Sequence, residues 1–254
     1  MADHHAMSHA RLEPPTQALI LAGGAGTRLR SVVSDIPKPM APIDGRPFLE
    51  YLVAQVAVAG VPEVVLLVGY RAEAIERHFG DGAGFGVRVR YSREREALGT
   101  GGALKLAEGL LVGDRWLVLN GDSLFDISLA ELVARHIDRP APATLALARV
   151  ADPTRYGSVT LAADGSVTAF AEKSDATAPN RINGGLYIIE RSLVHRIPAD
   201  RPVSFEREVL PQLVGQGLRG EPFDGYFVDI GVPADYARAQ LDAAVFDRLI
   251  SLSR

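Results

Sequence analysis

The chain has 254 residues, of which 47% are hydrophobic and 23% charged, as in folded globular proteins that bury a large core. Its net charge of −4 excludes an overall positive field for holding nucleic acid, and no apolar run approaches the roughly 20 residues that span a bilayer, so neither nucleic acid nor membrane is an expected partner. Without cysteine, disulfides, thiolate zinc sites and cysteine nucleophiles are excluded, and a cytoplasmic location is expected.

Residues 1–16, "MADHHAMSHARLEPPT", are polar and contain prolines. They lack the apolar centre of a signal peptide, so they are expected to be a mobile leader rather than a targeting segment or a metal site. Residues 17–254 contain no internal repeat, low-complexity tract or linker, which predicts a single domain.

Buried strands and amphipathic helices alternate over the first 120 residues. The runs "QALILA" (17–22), "VVLLVGY" (64–70) and "WLVLNGD" (116–122) are apolar on both faces, as buried strands are, and apolar residues between them recur at helical spacing. This alternation predicts an α/β fold, with a Rossmann-like and mainly parallel sheet flanked by helices. Ligands of such sheets bind beyond the carboxyl ends of the strands.

The second half of the chain changes character. Asp164-Gly165 lies between two alternating runs and predicts a β-hairpin that faces the substrate, followed by a strand at "GGLYIIE" (184–190). A helix is predicted over 204–214, capped by Ser204 and interrupted at Pro211, and another from Asp235 onward.

Three glycines, Gly23, Gly24 and Gly26, follow the first predicted strand. Glycines at this point allow backbone N–H groups to approach a polyphosphate, although a tight turn would also use them. A dinucleotide site is disfavoured, because the third glycine of that motif would fall at Leu29. A Walker loop is excluded, because Thr27-Arg28-Leu29 stands where Lys-Ser/Thr is required.

Lys38 lies between Pro37 and Pro39. Residues before proline avoid the helical region, so both Ile36 and Lys38 are expected to be extended, with the lysine presented from a stiff loop. An arginine and a rigidly displayed lysine beside a glycine loop favour an anion site over a solvated surface.

The motifs "GGAGTRL" and "PKPMAPI" resemble the signature of the sugar-1-phosphate nucleotidylyltransferases, or NDP-sugar pyrophosphorylases. The resemblance continues through "ALGTGGAL", "LNGD", "EK", "NGGLYII" and "VDIGVPADY", in the same order. It implies a GT-A-like fold with a sugar-binding hairpin. It also implies transfer of a nucleoside monophosphate from an NTP to a sugar 1-phosphate, for bacterial surface glycans such as lipopolysaccharide or capsule. The pattern is most similar to members that use GTP and D-glycero-α-D-manno-heptose 1-phosphate.

The resemblance also assigns roles to residues. It implies that Arg28, Lys38 and Asp122 are catalytic and that Asp122 and Asp229 hold Mg²⁺. These two carboxylates end the runs "WLVLNGD" and "YFVD", so both are expected at the ligand-binding edge of the sheet, where they could bind the ion. The implied nucleotide-binding residues are Leu21, Ala22, Gly23, Gly24, Gly26, Thr27, Arg28, Glu94, Gly99, Thr100 and Gly121.

Two of these residues also suggest chemistry of their own. Thr100 is expected to cap a helix. A carboxylate of Glu94, or of Glu96 two residues later, could accept from the N1–H and amine of guanine, which favours GTP, although uracil also offers an N–H.

On the sugar side, the resemblance implies binding by Tyr156, Gly157, Glu172, Lys173, Asn183 and Gly184, with Lys173 on the sugar phosphate. Two departures concern the shape of this pocket. The family often has "NAG" and "EKP" where this chain has "NGG" (183–185) and "EKS" (172–174).

Several alternatives remain open. A mannose-1-phosphate guanylyltransferase, an enzyme using UTP, dTTP or CTP with a hexose 1-phosphate, and a catalytically silent regulatory subunit all share this fold. A monomer or a small homo-oligomer is expected. "GDSL" at 121–124 matches a hydrolase motif, but Ser192 stands three residues before His195, where the triad requires aspartate, so hydrolysis is excluded.

Overall fold

The structure is a computed structural model, which describes residues 13–24, 26–29, 32–33, 36–150, 152–153, 156–172 and 181–253. Residues 1–12 of the predicted leader lie outside these ranges, and so does Lys173.

The strands are β1 (Gln17–Ala22), β2 (Pro42–Ile43), β3 (Arg46–Pro47), β4 (Glu63–Val68), β5 (Arg88–Arg93), β6 (Arg115–Asn120), β7 (Ser123–Asp126), β8 (Ala143–Arg149), β9 (Gly157–Leu161), β10 (Val167–Glu172), β11 (Arg181–Glu190), β12 (Arg219–Pro222) and β13 (Tyr226–Asp229). The α-helices are α1 (Phe48–Val58), α2 (Ala72–Phe79), α3 (Gly99–Leu106), α4 (Leu129–Asp138), α5 (Arg191–Arg196), α6 (Leu210–Gln212), α7 (Pro233–Leu241) and α8 (Ala243–Leu252). Short 3-10 helices span Thr27–Leu29, Lys38–Met40, Ala83–Phe85 and Ala107–Leu110, and a π-helix spans Phe205–Val209.

Nine strands of the described chain form one sheet in the order β10-β9-β11-β6-β1-β4-β5, with β8 beside β11 and β12 beside β8. The strands β6, β1, β4 and β5 run parallel, whereas β11 pairs antiparallel with β6. The predicted α/β fold with a mainly parallel first half is therefore confirmed. Two small sheets, β7 with β13 and β2 with β3, stand outside the large one.

The two faces of the sheet bury separate apolar clusters, as the period of two along a strand requires. In β1, Ala18, Ile20 and Ala22 lie in one cluster, and Leu19 lies in the other. The first cluster is covered by α1, α2, α4 and α8, the second by α3, α5 and the π-helix. Runs that are apolar on both faces were thus correctly predicted to be buried strands.

The predicted hairpin at Asp164-Gly165 is also confirmed, because β9 and β10 pair antiparallel on either side of it. Asp164 Oδ1 accepts from the backbone N–H of Ser166 at 2.9 Å, which fixes the turn. The predicted helix over 204–214 does begin at a Ser204 cap, which accepts from the Arg207 N–H at 3.2 Å. It is wound as the π-helix followed by α6 around Pro211.

None of the helices in the described ranges has the length and apolar character of a membrane span.

The "NGG" departure has a packing explanation. A Cβ added to Gly184 would lie 2.6 Å from Cδ1 of Phe125 and 2.9 Å from the carbonyl oxygen of Ala146. Phe125 is fully buried, so its ring cannot move aside into solvent. In this chain the ring fills the space that the alanine methyl of "NAG" would take.

We therefore predict that Gly184→Ala lowers the free energy of unfolding by about 1–3 kcal/mol, through overpacking. Urea denaturation measures the change. Gly84→Ala is the matched control, because a Cβ at Gly84 would meet nothing within 4 Å. Adding Phe125→Leu to Gly184→Ala should recover part of the loss, and a Gly184→Ala variant as stable as the Gly84→Ala variant would contradict this explanation.

Candidate active site

A cavity of about 850 Å³ opens at the carboxyl ends of the parallel strands. It is lined by residues that directly follow β1, β4, β5 and β6, among them Gly23, Gly69, Glu94 and Gly121. Parallel strands end at the same edge of the sheet, so four distant parts of the sequence meet here.

Most of the predicted site residues line this cavity or a smaller one of about 190 Å³ that adjoins it. The predicted residues on their walls are Leu21, Gly23, Gly24, Gly26, Arg28, Lys38, Glu94, Gly99, Thr100, Gly121, Asp122, Tyr156, Asn183 and Asp229. Ala22 is fully buried within β1, Thr27 begins the 3-10 helix that carries Arg28, and Gly184 packs behind the wall against Phe125.

Lys38 lies at the floor of the smaller cavity, and only 9% of it is exposed. Its Nζ is 2.5 Å from Oδ2 of Asp122 and 3.7 Å from Oδ1 of Asp229. The expectation that Lys38 is extended is wrong, because it begins the 3-10 helix Lys38–Met40. Pro37 takes the extended conformation instead, and the Met40 N–H donates to its carbonyl oxygen at 2.8 Å.

Asp122 and Asp229 come together through the small β7–β13 sheet. Asp229 ends β13 and lines the cavity, as expected, but β13 pairs with β7, where Asp229 lies opposite Ser123, and not with the large sheet. The Ile230 N–H donates to the Asp122 carbonyl oxygen at 2.9 Å, which ties the two segments together. Helix α1 supports β7 from behind, because Nε2 of Gln55 donates to the carbonyl oxygen of Phe125 at 2.7 Å.

The Lys38 ammonium shifts the pKa values of the two carboxylates to different extents, because it lies closer to Asp122 than to Asp229. Burial would raise the pKa of Asp122, but the charge and hydrogen bond of Lys38 outweigh burial and leave this pKa below its ordinary value. Burial and the charge of Asp122 raise the pKa of Asp229 to about 6, because Lys38 offsets them only in part. The pair has spare negative charge that a cation would stabilise.

Glu94 lines the larger cavity and lies against Gly23 of the glycine loop. A Cβ on Gly23 would lie 2.7 Å from its Oε1, so the glycine lets the carboxylate lie against the loop. Oε2 accepts from the backbone N–H of Leu98 at 3.0 Å, which orients the group. Burial raises the pKa of Glu94, an effect that this hydrogen bond offsets in part.

Thr100 does not cap a helix as expected. Helix α3 begins at Gly99, with Leu98 in the capping position. The Thr100 hydroxyl instead donates to Oε2 of Glu206 at 2.6 Å and accepts from the Phe205 N–H at 2.8 Å.

On the predicted sugar side, Tyr156 lines the larger cavity and packs edge-on against Phe227, with ring centroids 5.6 Å apart. Asn183 donates from Nδ2 to the Tyr187 hydroxyl at 2.7 Å. Gly157 and Glu172 pair in register across the β9–β10 hairpin. These four residues thus lie on strands or loops next to one another, whereas Lys173 is outside the described residues.

Sequence reasoning missed several polar and aromatic residues of the cavity wall, namely Tyr70, Arg95, Asn120, Ser123, Phe170, Ser204, Glu206, Arg207 and Phe227. Glu206 differs from the others in that it is joined to a predicted site residue 106 positions earlier. No local motif marks such a contact; the only sequence signal was the Ser204 cap two residues before it.

The chain matches the nucleotidyl transferase family over residues 17–245. It is 42% identical to D-glycero-alpha-D-manno-heptose 1-phosphate guanylyltransferase of Aneurinibacillus thermoaerophilus over 225 residues, 88% of this chain and 96% of that protein. It is 40% identical to mannose-1-phosphate guanylyltransferase of Mycobacterium tuberculosis over 228 residues, 89% of this chain but only 64% of that protein.

The fold is similar to the crystal structure of HddC from Yersinia pseudotuberculosis. The TM-score is 0.80 at 34% sequence identity, and the match covers 89% of this chain and 99% of that one. A second HddC structure, complexed with GMP-PN, matches with a TM-score of 0.79, the same identity and the same coverage.

We predict that Lys38→Met lowers the free energy of unfolding by about 1–3 kcal/mol in a buffer that contains a metal chelator. The two carboxylates then lose their cation, and partial exposure of Asp122 keeps the cost below that of a fully buried pair. Adding Asp122→Asn should restore part of the loss, as urea denaturation would show.

Arg201→Met is the control, because the side chains of Arg201 and Glu208 pair at 2.6 Å and are 52% and 36% exposed, so this variant should cost less than about 1 kcal/mol. Equal losses for the two methionine variants would contradict a special role for the Lys38 cluster in stability.

Proposed function

The chain belongs to the nucleotidyl transferase family, and from that premise we propose that it transfers a guanylyl group from GTP to a sugar 1-phosphate. The sugar that we favour is D-glycero-α-D-manno-heptose 1-phosphate, because a relative named for that activity is covered over 96% of its length. The product would be a GDP-sugar for a bacterial surface glycan, released together with pyrophosphate.

The observation that carries this proposal is the position of Lys38. Its ammonium lies between Asp122 and Asp229 in a cavity that it shares with Gly24 and Arg28. A reaction between two phosphate groups needs its negative charge neutralised at the reacting centre, and this cluster combines a cation with a carboxylate pair at that point.

In the proposed reaction, an oxygen of the sugar phosphate attacks the α-phosphorus of GTP. The bond to the bridging oxygen of the β-phosphate breaks, and that oxygen leaves with pyrophosphate. Backbone N–H groups of Gly23, Gly24 and Gly26 would hold the triphosphate, Arg28 would neutralise the departing β- and γ-phosphates, and Lys38 would neutralise the α-phosphate. The protein supplies no nucleophile, so catalysis depends on position and charge.

Magnesium is part of the proposal. In the described residues, no group of three or more histidine, cysteine, aspartate or glutamate side chains could hold a metal ion. Mg²⁺ sites of nucleotide-binding enzymes need only one or two carboxylates, with phosphate oxygens and water completing the shell. Asp122 and Asp229 fit this requirement, since their carboxylates converge on one point, with Nζ of Lys38 2.5 Å from Oδ2 of Asp122 and 3.7 Å from Oδ1 of Asp229. When bound, the ion would supply charge neutralisation at the phosphates.

For the sugar we propose the residues given by the resemblance: Tyr156, Gly157, Glu172, Asn183 and Gly184 against the ring, and Lys173 against its phosphate. Support comes from the positions of Tyr156 and Asn183 on the cavity wall. Gly184 would act through shape, because its contact with Phe125 sets how closely β11 approaches β7.

For the base we propose Glu94. Its carboxylate accepts only, and guanine offers two adjacent donors, N1–H and the exocyclic amine. The packing against Gly23 and the hydrogen bond from Leu98 hold this acceptor in one place. A GMP-PN complex of the similar HddC structure also supports guanine.

Two further readings have specific support. Mannose 1-phosphate is the second candidate substrate, because a relative named for it is 40% identical, although this chain spans 64% of that protein. A silent regulatory subunit is less favoured, because such proteins tend to lose catalytic side chains and this chain retains Arg28, Lys38, Asp122 and Asp229.

We also infer that residues 17–254 form one domain and that the protein works in the cytoplasm as a monomer or small homo-oligomer. The support for one domain is that a single sheet carries both apolar clusters. The support for the location is that the substrates are nucleoside triphosphates and that the chain has no cysteine to require an oxidising compartment.

The proposed reaction is tested by pyrophosphate release with each of the four NTPs crossed with heptose, mannose and glucose 1-phosphates. We predict turnover with GTP and the heptose substrate, and loss of at least a hundredfold in kcat for Asp122→Asn with the fold intact by circular dichroism. Asp114→Asn is the control, because the Asp114 side chain is 85% exposed, far from the cavity wall. Turnover with UTP and glucose 1-phosphate but not GTP would overturn the substrate proposal.

The base proposal predicts that Glu94→Gln lowers kcat/KM for GTP by about ten- to a hundredfold, because an amide accepts from only one of the two guanine donors. Activity with UTP should change less, so the GTP/UTP ratio is the quantity to measure. Glu73→Gln changes an exposed carboxylate that does not line the cavity, and it should leave the ratio unaltered. A ratio that both variants leave intact would rule out Glu94 as the guanine acceptor.

A further inference from the structure

Glu206 is a carboxylate of the cavity wall to which neither the sequence motifs nor the proposed chemistry gives a task. It is the second residue of the π-helix Phe205–Val209, and it lines the larger cavity together with Asn183 and Asp122. A π-helix in a short helical segment is rare and often occurs where a side chain must be aimed into a functional site.

Thr100 fixes the orientation of this carboxylate. A threonine hydroxyl has one proton, and here it is donated to Oε2 of Glu206 at 2.6 Å. The same hydroxyl accepts from the N–H of Phe205 at 2.8 Å, so it is held from both sides. The segment that carries Glu206 is also bound to α3, because the N–H of Gly101 donates to the carbonyl oxygen of Val203 at 2.9 Å.

The neighbouring carboxylate of the same helix has a different role. Glu208 accepts from the Ser204 N–H at 2.9 Å and from Arg201 at 2.6 Å, on the solvent side. It completes the cap and the surface ion pair, and it does not line the cavity. Glu208 therefore stabilises the helix end, whereas Glu206, two residues earlier, faces the cavity.

The surroundings of Glu206 are poor in solvent and already negative. Burial raises the pKa of Glu206, the Thr100 hydrogen bond offsets this in part, and the charge of Asp122 raises it further. Its own charge reaches Tyr187, where burial first and Glu206 second raise the pKa of the phenol. Tyr187 accepts from Asn183 at 2.7 Å, and Glu206 lines the same cavity as Asn183, a residue of the predicted sugar side.

We propose that Glu206 is a sugar-recognition residue, whose carboxylate accepts hydrogen bonds from ring hydroxyls of the sugar 1-phosphate while Thr100 holds it in position. A phosphate is an unsuitable partner for a carboxylate, whereas hydroxyl donors suit a group that only accepts. This inference rests on the proposed transfer to a sugar 1-phosphate and adds a specificity residue to it.

The first test compares Glu206→Gln with Glu208→Gln, with the sugar 1-phosphate that the wild-type protein uses best. Loss of a hydrogen bond to a charged group should raise the KM for the sugar 1-phosphate of Glu206→Gln about ten- to a hundredfold. Its KM for the NTP should stay within about twofold of wild type, since uniform loss of sugar binding does not involve the nucleotide. Glu208→Gln should match wild type in both constants.

A second measurement identifies the hydroxyl and separates recognition from a structural effect. Deoxy analogues of the sugar 1-phosphate remove one hydroxyl at a time. At the hydroxyl that Glu206 contacts, the deoxy analogue should have a lower kcat/KM than the complete sugar 1-phosphate with the wild-type protein. With Glu206→Gln the two substrates should differ little in kcat/KM, because the variant already lacks the partner of that hydroxyl. Equal losses with wild type and variant at every position would overturn the proposal.

Thr100 provides a test that keeps Glu206 itself intact. Thr100→Val removes the hydroxyl and should raise the KM for the sugar severalfold, whereas Thr100→Ser, which retains the hydroxyl, should raise it less. A Thr100→Val protein with unchanged sugar KM contradicts the positioning role, even if Glu206→Gln does not fold. Failure of the proposed function would appear separately, as wild-type protein that releases no pyrophosphate with any NTP and sugar 1-phosphate.

Discussion

The ion pair of Lys38 with Asp122 and Asp229 is the constraint on which the site depends. The ammonium is almost fully buried, and a buried charge is tolerated only where carboxylates or comparable acceptors surround it. The three residues come from three separate segments, so the 3-10 helix after Pro37, the end of β6 and the end of β13 must all be in place before the cluster exists. Folding and assembly of the site are therefore the same event.

The cavity around this cluster is acidic for one that is proposed to bind phosphates. Glu94, Asp122, Glu206 and Asp229 all line its walls. In the proposed function, Glu94 would meet the base, Glu206 a sugar hydroxyl, and Asp122 and Asp229 a metal ion. The phosphates would meet backbone N–H groups and cationic side chains near the glycine loop instead. With carboxylates placed around the Lys38 ammonium, one cavity could distinguish the base, the phosphates and the sugar of the two substrates. The same arrangement would keep the phosphates away from the carboxylates.

The sequence was sufficient for the parts of this molecule that depend on local order. Buried strands such as β1 and the helix spacing in α1 are properties of a few consecutive residues, and so is the Asp164-Gly165 turn. The glycine loop follows β1 directly, so its place at the sheet edge was predictable from parallel topology. Where the sequence carried no signal, long-range pairing decided the outcome: the strand that ends at Asp229 pairs with β7, and Thr100 bonds a residue 106 positions away.

The difference between local and long-range contacts also explains why the sequence predicts more of the nucleotide side of the cavity than of the sugar side. The nucleotide side is built from backbone that follows strands, where glycine and proline have strong local preferences. The sugar side is built from side chains that meet across β11, the hairpin and the π-helix, and its shape depends on contacts such as that of Gly184 with Phe125. A motif that departs by one methyl group, "NGG" for "NAG", therefore changes which ring fits behind β11. Substrate preference within such a family should change first at these packed contacts, because they reshape the sugar pocket without disturbing the charge cluster that the transfer requires.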